Sequence, residues 1–206
     1  MDLSHPEYAV LGESRARVLL RLFTLTESAS GRYIHELSGN ASLRTTQRIL
    51  DELVEVGMVR VRRVGAANAY RANREHVLWG PIESLFAIRA VVEARIAEII
   101  ESTLGPWMIS ALLYGSMARG EADADSDIDV LVVWAVAGDG ERSQLALADA
   151  AEQIRLLTGN HAQLLAVSPD ELRMLVDADD PLVESLRRDA RQLAGAVVDL
   201  TKGRRG

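Results

Sequence analysis

Two glycine-proline pairs divide this chain. Gly80-Pro81 and Gly105-Pro106 bracket about two dozen residues rich in helix formers, "GPIESLFAIRAVVEARIAEIIESTLG". Proline is favoured in a helix's first turn and glycine just beyond its end, so the punctuation marks one long helix or two short ones. Ile82, Leu85, Phe86, Ile88, Val91, Val92, Ile96, Ile99 and Ile100 cover more than one face of it. A solvent-exposed linker would not carry so much apolar surface, so the segment is expected to dock. The expected organisation is a domain over residues 1–80, a linker helix over 81–105 and a second domain over 106–206. At 206 residues and 48% hydrophobic content, the chain can bury a core in each part.

The two parts differ in charge. The net charge is −7, but residues 1–80 hold 11 arginines against 9 acidic residues, whereas residues 81–206 hold 12 basic and 21 acidic ones. The acidity therefore belongs to the second part, and an anionic partner such as DNA is compatible with the first. Cysteine is absent, which excludes disulfides and thiolate metal sites, so any metal must be held by oxygen or imidazole. No apolar run approaches the roughly 18 residues of a membrane span. The start, "MDLSHPEYAV", lacks the basic and apolar regions of a signal peptide, and a cytoplasmic protein with no membrane partner is expected.

In the first part, "SRARVLLRLFTL" places Val18, Leu19, Leu22 and Leu25 on one helical stripe, and "YIHEL" begins a shorter helix ended by Gly39. "ASLRTTQRILDELVEVG" reads as a third, with Ser42 as N-cap, Leu43, Thr46, Ile49, Leu50, Leu53 and Val54 inward, and Gly57 where a helix turns left-handed and stops. The period then changes from about 3.6 to 2. "MVRVRRV" alternates, and after a turn at "GAAN" the segment "AYRANR" returns as the second strand of a hairpin.

Three helices followed by an arginine-rich hairpin is the order of a winged helix-turn-helix. "LSGNASLRTTQRILDELVEVGMVRVRR" resembles the recognition helix and wing of bacterial regulators of that class. The third helix carries Arg44, Thr45 and Arg48 early on its outer face, with Gln47 at the edge and Asp51, Glu52 and Glu55 further along. Only its N-terminal half suits phosphates and base edges, as in a helix entering the major groove. Arg44, Thr45, Gln47 and Arg48 are the expected contacts there, with Arg62, Arg63 and Arg71 of the hairpin against phosphate or minor groove. The alternative is a packing module with exposed arginines. Because helix-turn-helix proteins read paired half-sites, a homodimer on double-stranded DNA is expected.

The second part reads as strand ("WMISALLY"), turn and short helix ("GSMARGEA"), strand ("SDIDVLVVW"), helix ("GERSQLALADAAEQIRLLTG") and strand ("HAQLLAV"). Two helical stretches, "PDELRMLVDA" and "DPLVESLRRDARQLAG", follow. The expected fold class is α+β, with the winged helix-turn-helix succeeded by a small mixed α/β sheet domain and flanking helices. Gly115 lets a ligand approach the backbone, and Ser116 adds a hydroxyl donor. Asp127 and Asp129 are two apart, so both carboxylates share a strand face, where they can hold a hard divalent cation. Taken singly, the first feature is an ordinary turn and the second an acidic strand entrance.

Taken together, Gly115-Ser116-x-Ala118-Arg119-Gly120, five residues, then Ser126-Asp127-x-Asp129 and an aliphatic run resemble the polymerase-β-type nucleotidyltransferase superfamily, specifically its minimal members. The resemblance implies that Gly115, Ser116, Arg119 and Ser126 contact a nucleoside triphosphate, with Arg119 fixing either the loop or a phosphate. It implies that Asp127 and Asp129 are the catalytic pair and bind Mg2+ or Mn2+. Members of that superfamily usually add a third carboxylate from a later strand. Here "NHAQLLAV" offers His161 and Gln163 instead. Two readings follow: a regulator whose nucleotidyltransferase-fold domain binds a nucleotide with weakened catalysis, coupled through the helix from Pro81 to Leu104, or an active transferase targeted or autoregulated by the winged helix. A third is a pair of protein-contact modules.

Overall fold

The computed structural model describes residues 1–135 and 140–201. Residues 202–206 of the expected second domain lie outside that range. The chain divides into two compact units, one of His5–Ile88 and one of Met1–Ser4 with the chain from Arg89 onward.

The His5–Ile88 unit begins with α1 (Tyr8–Leu11) and α2 (Glu13–Thr24), whose Val18, Leu19 and Leu22 are buried as their helical spacing requires. A two-residue strand, β1 (Ala29–Ser30), leads into α3 (Gly31–Ser38), capped by Ser30 and closed by Gly39 in the left-handed conformation. In α4 (Leu43–Glu55), the Ser42 hydroxyl accepts a bond from the Thr45 amide, and Thr46, Ile49, Leu50 and Leu53 are buried. Such a cap contributes about 1 kcal/mol, and each buried aliphatic side chain roughly 2 kcal/mol. Leu43, expected inward, is 41% exposed because it stands at the helix's first position, ahead of the packed turns.

Next come β2 (Val59–Val64) and β3 (Ala67–Ala72), an antiparallel hairpin in which Val64 faces Ala67. The turn is Gly65-Ala66 alone, shorter than the expected "GAAN", and Gly65 supplies the positive φ of +62° that a two-residue turn needs. β1 joins β3 as a third strand, giving the order β1-β3-β2. The stretch 81–105 forms two helices, α5 (Trp79–Phe86) and α6 (Ile88–Leu104). α5 packs in this unit's core through Trp79 and Ile82, and the Trp79 indole donates to the Met58 carbonyl at 3.2 Å.

In the other unit, Val92, Ile96, Ile100 and Leu104 of α6 form a buried stripe at four-residue spacing. The strands are β4 (Met108–Tyr114), β5 (Ile128–Trp134), β6 (Ala162–Val167) and β7 (Arg191–Gly195), in the order β6-β5-β4-β7. β5 and β6 are parallel and the other pairs antiparallel. The helices are α7 (Gly115–Arg119), α8 (Gly140–Thr158), α9 (Pro169–Asp177) and α10 (Pro181–Asp189). Alternation sorts β5 cleanly: Ile128, Val130 and Val132 face the core with α6 and α8, while Leu131 and Val133 face Leu172 of α9 and Leu186 of α10. Both faces are covered, which is why the strand reads as an almost unbroken aliphatic run.

β7 corrects the reading of "DPLVESLRRDARQLAG" as helical throughout. The helix stops at Asp189, and "RQLAG" pairs with β4, with Ala194 opposite Ala111. Pairing overrides weak local preference here, and Gly195 has no side chain to strike the Ile109 carbonyl that lies against it. The fold is α+β, and among the described residues no helix is long and apolar enough to cross a membrane.

Candidate active site

The end of β4 and the start of β5 lie side by side, with Tyr114 opposite Asp129. Gly115 follows Tyr114 at φ +73°, and a Cβ placed there would run into the Asp129 carboxylate and stand 3.1 Å from its Cγ. Glycine is therefore required twice over, for its conformation and for this approach. Asp129 is half-buried, in phase with Leu131 and Val133 but at the rim of the sheet, and Asp127 just ahead of the strand is exposed. The two aspartates and the glycine turn thus meet at one corner of the sheet.

Electrostatics at this corner are unfavourable without a cation. Burial pushes the Asp129 carboxyl above the usual carboxylate range, the negative charge of Asp127 pushes it further, and Arg119 offsets part of this. Tyr114 is raised as well, by burial and by Asp129. A hard divalent ion would relieve both carboxylates, since magnesium is commonly held by one or two carboxylates and completed by phosphate and water oxygens. The donor set fits that role. Among the described residues no group of three or more His, Asp or Glu side chains is placed to hold a metal alone.

The position facing Asp129 on the neighbouring parallel strand is Gln163. An amide stands beside the aspartate pair where the resemblance calls for a third acid. His161, before β6, is exposed, and its carbonyl accepts from the Ile128 amide at 2.8 Å. Glu171 caps α9, its carboxylate accepting from the Ser168 amide at 2.7 Å, so it does not fill the gap.

The remaining expected contacts are held by the protein itself. Arg119 donates to Glu121 at 2.7 Å and to Asp189 of α10 at 3.4 Å, which ties the loop after α7 to α10. The Ser126 hydroxyl donates to Asp123 at 2.7 Å, lowering that carboxyl below its ordinary value. Ser116 is half-buried in the first turn of α7. Glu121, Asp189 and Tyr114 escaped sequence reasoning. Only Tyr114 had a signal, its place directly before Gly115.

Comparison with known proteins addresses the same stretch. Residues 93–186 match the family model described as nucleotidyltransferase domain. The similar solved structures include a toxin-antitoxin with AMP-PNP, 22% identical over 48% of this chain and 73% of that one, at a TM-score of 0.35. A second is the toxin-antitoxin MntA-HepT, 20% identical over 52% and 73%, at 0.35. A third is a tri-AMPylated Shewanella oneidensis HEPN toxin in complex with MNT antitoxin, 18% identical over 52% and 72%, at 0.33. No curated protein matches the chain. The corner formed by Gly115, Asp127 and Asp129 falls inside the matched stretch.

A second set of expected residues lies in the His5–Ile88 unit. Arg44 and Arg48 are exposed on the first turns of α4, and Thr45 is half-buried. Arg48 pairs with Glu52 at 2.6 Å, and the same glutamate also receives Arg15. The Gln47 amide donates to Tyr70 at 2.6 Å and Asp51 at 2.9 Å, which ties it to the sheet. On the hairpin, Arg60 stands directly opposite Arg71, so Arg60, Arg62 and Arg71 share one face and Arg63 lies on the other. Arg60 meets Glu75 at 2.6 Å. Among the described residues, Arg44, Arg62 and Arg71 have no acidic partner.

Proposed function

We propose that the chain is a DNA-binding regulator whose nucleotidyltransferase-type domain binds a nucleoside triphosphate with Mg2+ and transfers nucleotidyl groups weakly. The observation that carries the reading is the meeting of the Gly115 backbone with the Asp129 carboxylate beside Asp127. In this reading Asp127 and Asp129 hold the metal, and Ser116 with the turn's backbone amides holds phosphate oxygens. The metal supplies charge neutralisation and alignment of the triphosphate for in-line attack. Arg119 fixes the loop through Glu121 and Asp189. Gln163, neutral at neutral pH, neither completes a second metal site nor accepts a proton from an attacking hydroxyl.

The His5–Ile88 unit is read as a winged helix-turn-helix, with α4 as recognition helix and the β2–β3 hairpin as wing. Arg71 supports an anionic partner, because it stands directly opposite Arg60, like charges so placed destabilise a hairpin, and Glu75 neutralises the Arg60 side alone. Arg44 and Arg62 extend that surface, and a two-fold homodimer would present two copies to paired half-sites.

The test uses the full-length protein. Thermal melts with each of the four nucleoside triphosphates should show stabilisation that requires Mg2+ and vanishes in Asp127→Ala. Absence of any such shift would remove the reading. Rapid Mg2+-dependent incorporation of labelled nucleotide into any acceptor, abolished by Asp127→Asn, would replace weak transfer with full activity. A salt-sensitive gel shift on the protein's own upstream DNA, weakened in Arg44→Ala, tests the first unit.

A further inference from the structure

Behind the Gly115 turn lies an ion network that includes neither aspartate of the site. One Arg191 guanidinium nitrogen, Nη2, donates to the Met117 carbonyl of α7 at 3.2 Å and meets Glu93 of α6 at 2.9 Å. Arg89, also on α6, reaches the same carbonyl at 3.5 Å and Glu93 at 3.6 Å. Gly120, which closes α7 in the left-handed conformation, leaves room for it: a Cβ there would stand 3.0 Å from Arg89. Two cations therefore converge on a single backbone carbonyl two residues after Gly115, and one anion, Glu93, pairs with both of them.

The arrangement carries a cost. Arg191 Nε is buried without a hydrogen-bond partner, and a chain seldom leaves a donor so unless the rest of the group is needed where it is. Arg191 lies on β7 opposite Leu113 of β4, two residues before Gly115, so its backbone is anchored to the strand that delivers the turn while its side chain grips the middle of the turn at Met117. The start and the middle of Gly115–Gly120 are thereby both tied to the sheet. Arg89 and Arg191 lie outside residues 93–186, whereas Glu93 and Met117 lie within them.

We infer that Arg191 and Arg89, held together by Glu93, are positioning residues that fix the Gly115–Gly120 turn against Asp129. The network sets the distance between the turn's backbone and the carboxylate, and with it the fit of a metal-nucleotide complex. The inference rests on the reading of this corner as a nucleotide site for its functional consequence, but the tie itself is independent of any ligand.

Two measurements on the folded full chain separate these layers. In nucleotide-free protein, amide hydrogen exchange over residues 116–120 should quicken about tenfold in Arg191→Met and less in Arg191→Lys, which keeps one donor for Met117 or Glu93. Arg89→Met is a second variant in case the first fails to fold. Affinity for Mg2+ with each nucleoside triphosphate should fall about tenfold in Arg191→Met and recover in part in Arg191→Lys, while Mn2+ alone binds within twofold of the parent. Unchanged exchange in folded Arg191→Met overturns the tie. Quickened exchange with undiminished nucleotide affinity overturns the positioning role, as does loss of Mn2+ binding along with nucleotide, which would mean that the whole corner has collapsed. If the parent binds no nucleotide, the site reading fails while the exchange measurement still decides the tie.

Discussion

The two sheets concentrate opposite charges in different ways. On the three-stranded sheet, Arg60, Arg62 and Arg71 stand on exposed hairpin strands, where water and salt screen them beyond a Debye length of about 8 Å. On the four-stranded sheet, Asp129 is half-buried at the strand's rim, and burial rather than its neighbour is the larger cause of its raised pKa. Crowded like charge at a surface favours a diffuse polyanion and tolerates single losses. Like charge at a partly desolvated corner demands a compact cation in one place, so small displacements there should matter more.

The sharpest test of that contrast is Gly115→Ala. The new methyl meets not only the tip of the Asp129 carboxylate but its Cγ at 3.1 Å and Cβ at 3.3 Å, so the whole side chain must turn away. With a positive φ as well, the variant should lose about 2 kcal/mol of stability, and Mg2+-dependent nucleotide binding should fall below detection in thermal melts. Retained binding would show that the corner is as tolerant as the hairpin.

Gln163→Glu asks whether the corner is short of one acid. It faces Asp129 across the parallel pair and is exposed, so the added carboxylate need not disrupt packing. If the missing acid limits chemistry, labelled nucleotide transfer should rise at least about tenfold, within the range a positioned base contributes. An unchanged rate would locate the limitation elsewhere.

In the His5–Ile88 unit, Arg44→Ala on α4 and Arg62→Ala on the hairpin should each weaken DNA binding several-fold across sequences. The slope of log affinity against log salt should drop by about one per removed phosphate contact. Arg48→Ala should do less, since Glu52 already occupies that guanidinium. An equal loss in Arg48→Ala would mean that the ion pair opens on DNA.

How much of this was legible in sequence follows from the range of each interaction. Ser42, Gly39 and Gly57 act on backbone within a few residues, and the helices they cap or close stand where local chemistry puts them. Glycine turn and paired aspartates were visible because motif spacing is itself local. β7 was not: Arg191–Gly195 is a strand only because β4 lies beside it, and "RRDARQLAG" alone continues a helix as readily. The same non-locality hid the Met117 tie, whose residues lie on α6, α7 and β7 and meet only in the fold. Trp79 shows a milder form, its partner Met58 sitting a whole hairpin away.

The smallest expected effect concerns stability, and it carries a sign that distinguishes the two regions. Because Asp129 holds its proton more tightly in the folded chain than unfolded, its contribution is fully present below the unfolded carboxylate range and is lost as pH rises through the raised folded value. At neutral pH without metal it is therefore a destabilising charge. Asp129→Asn should melt higher than the parent at pH 7 in chelator, by about 2 °C once solvent screening of this half-exposed group is allowed for. The difference should shrink toward zero near pH 4 and reverse when Mg2+ and nucleotide stabilise the parent alone. Arg62→Ala should show no comparable pH-dependent gain, since its exposed charge is already screened. A parent that melts as high as Asp129→Asn throughout would mean that the corner is better solvated than its burial implies, and would remove the electrostatic part of the case for a bound cation.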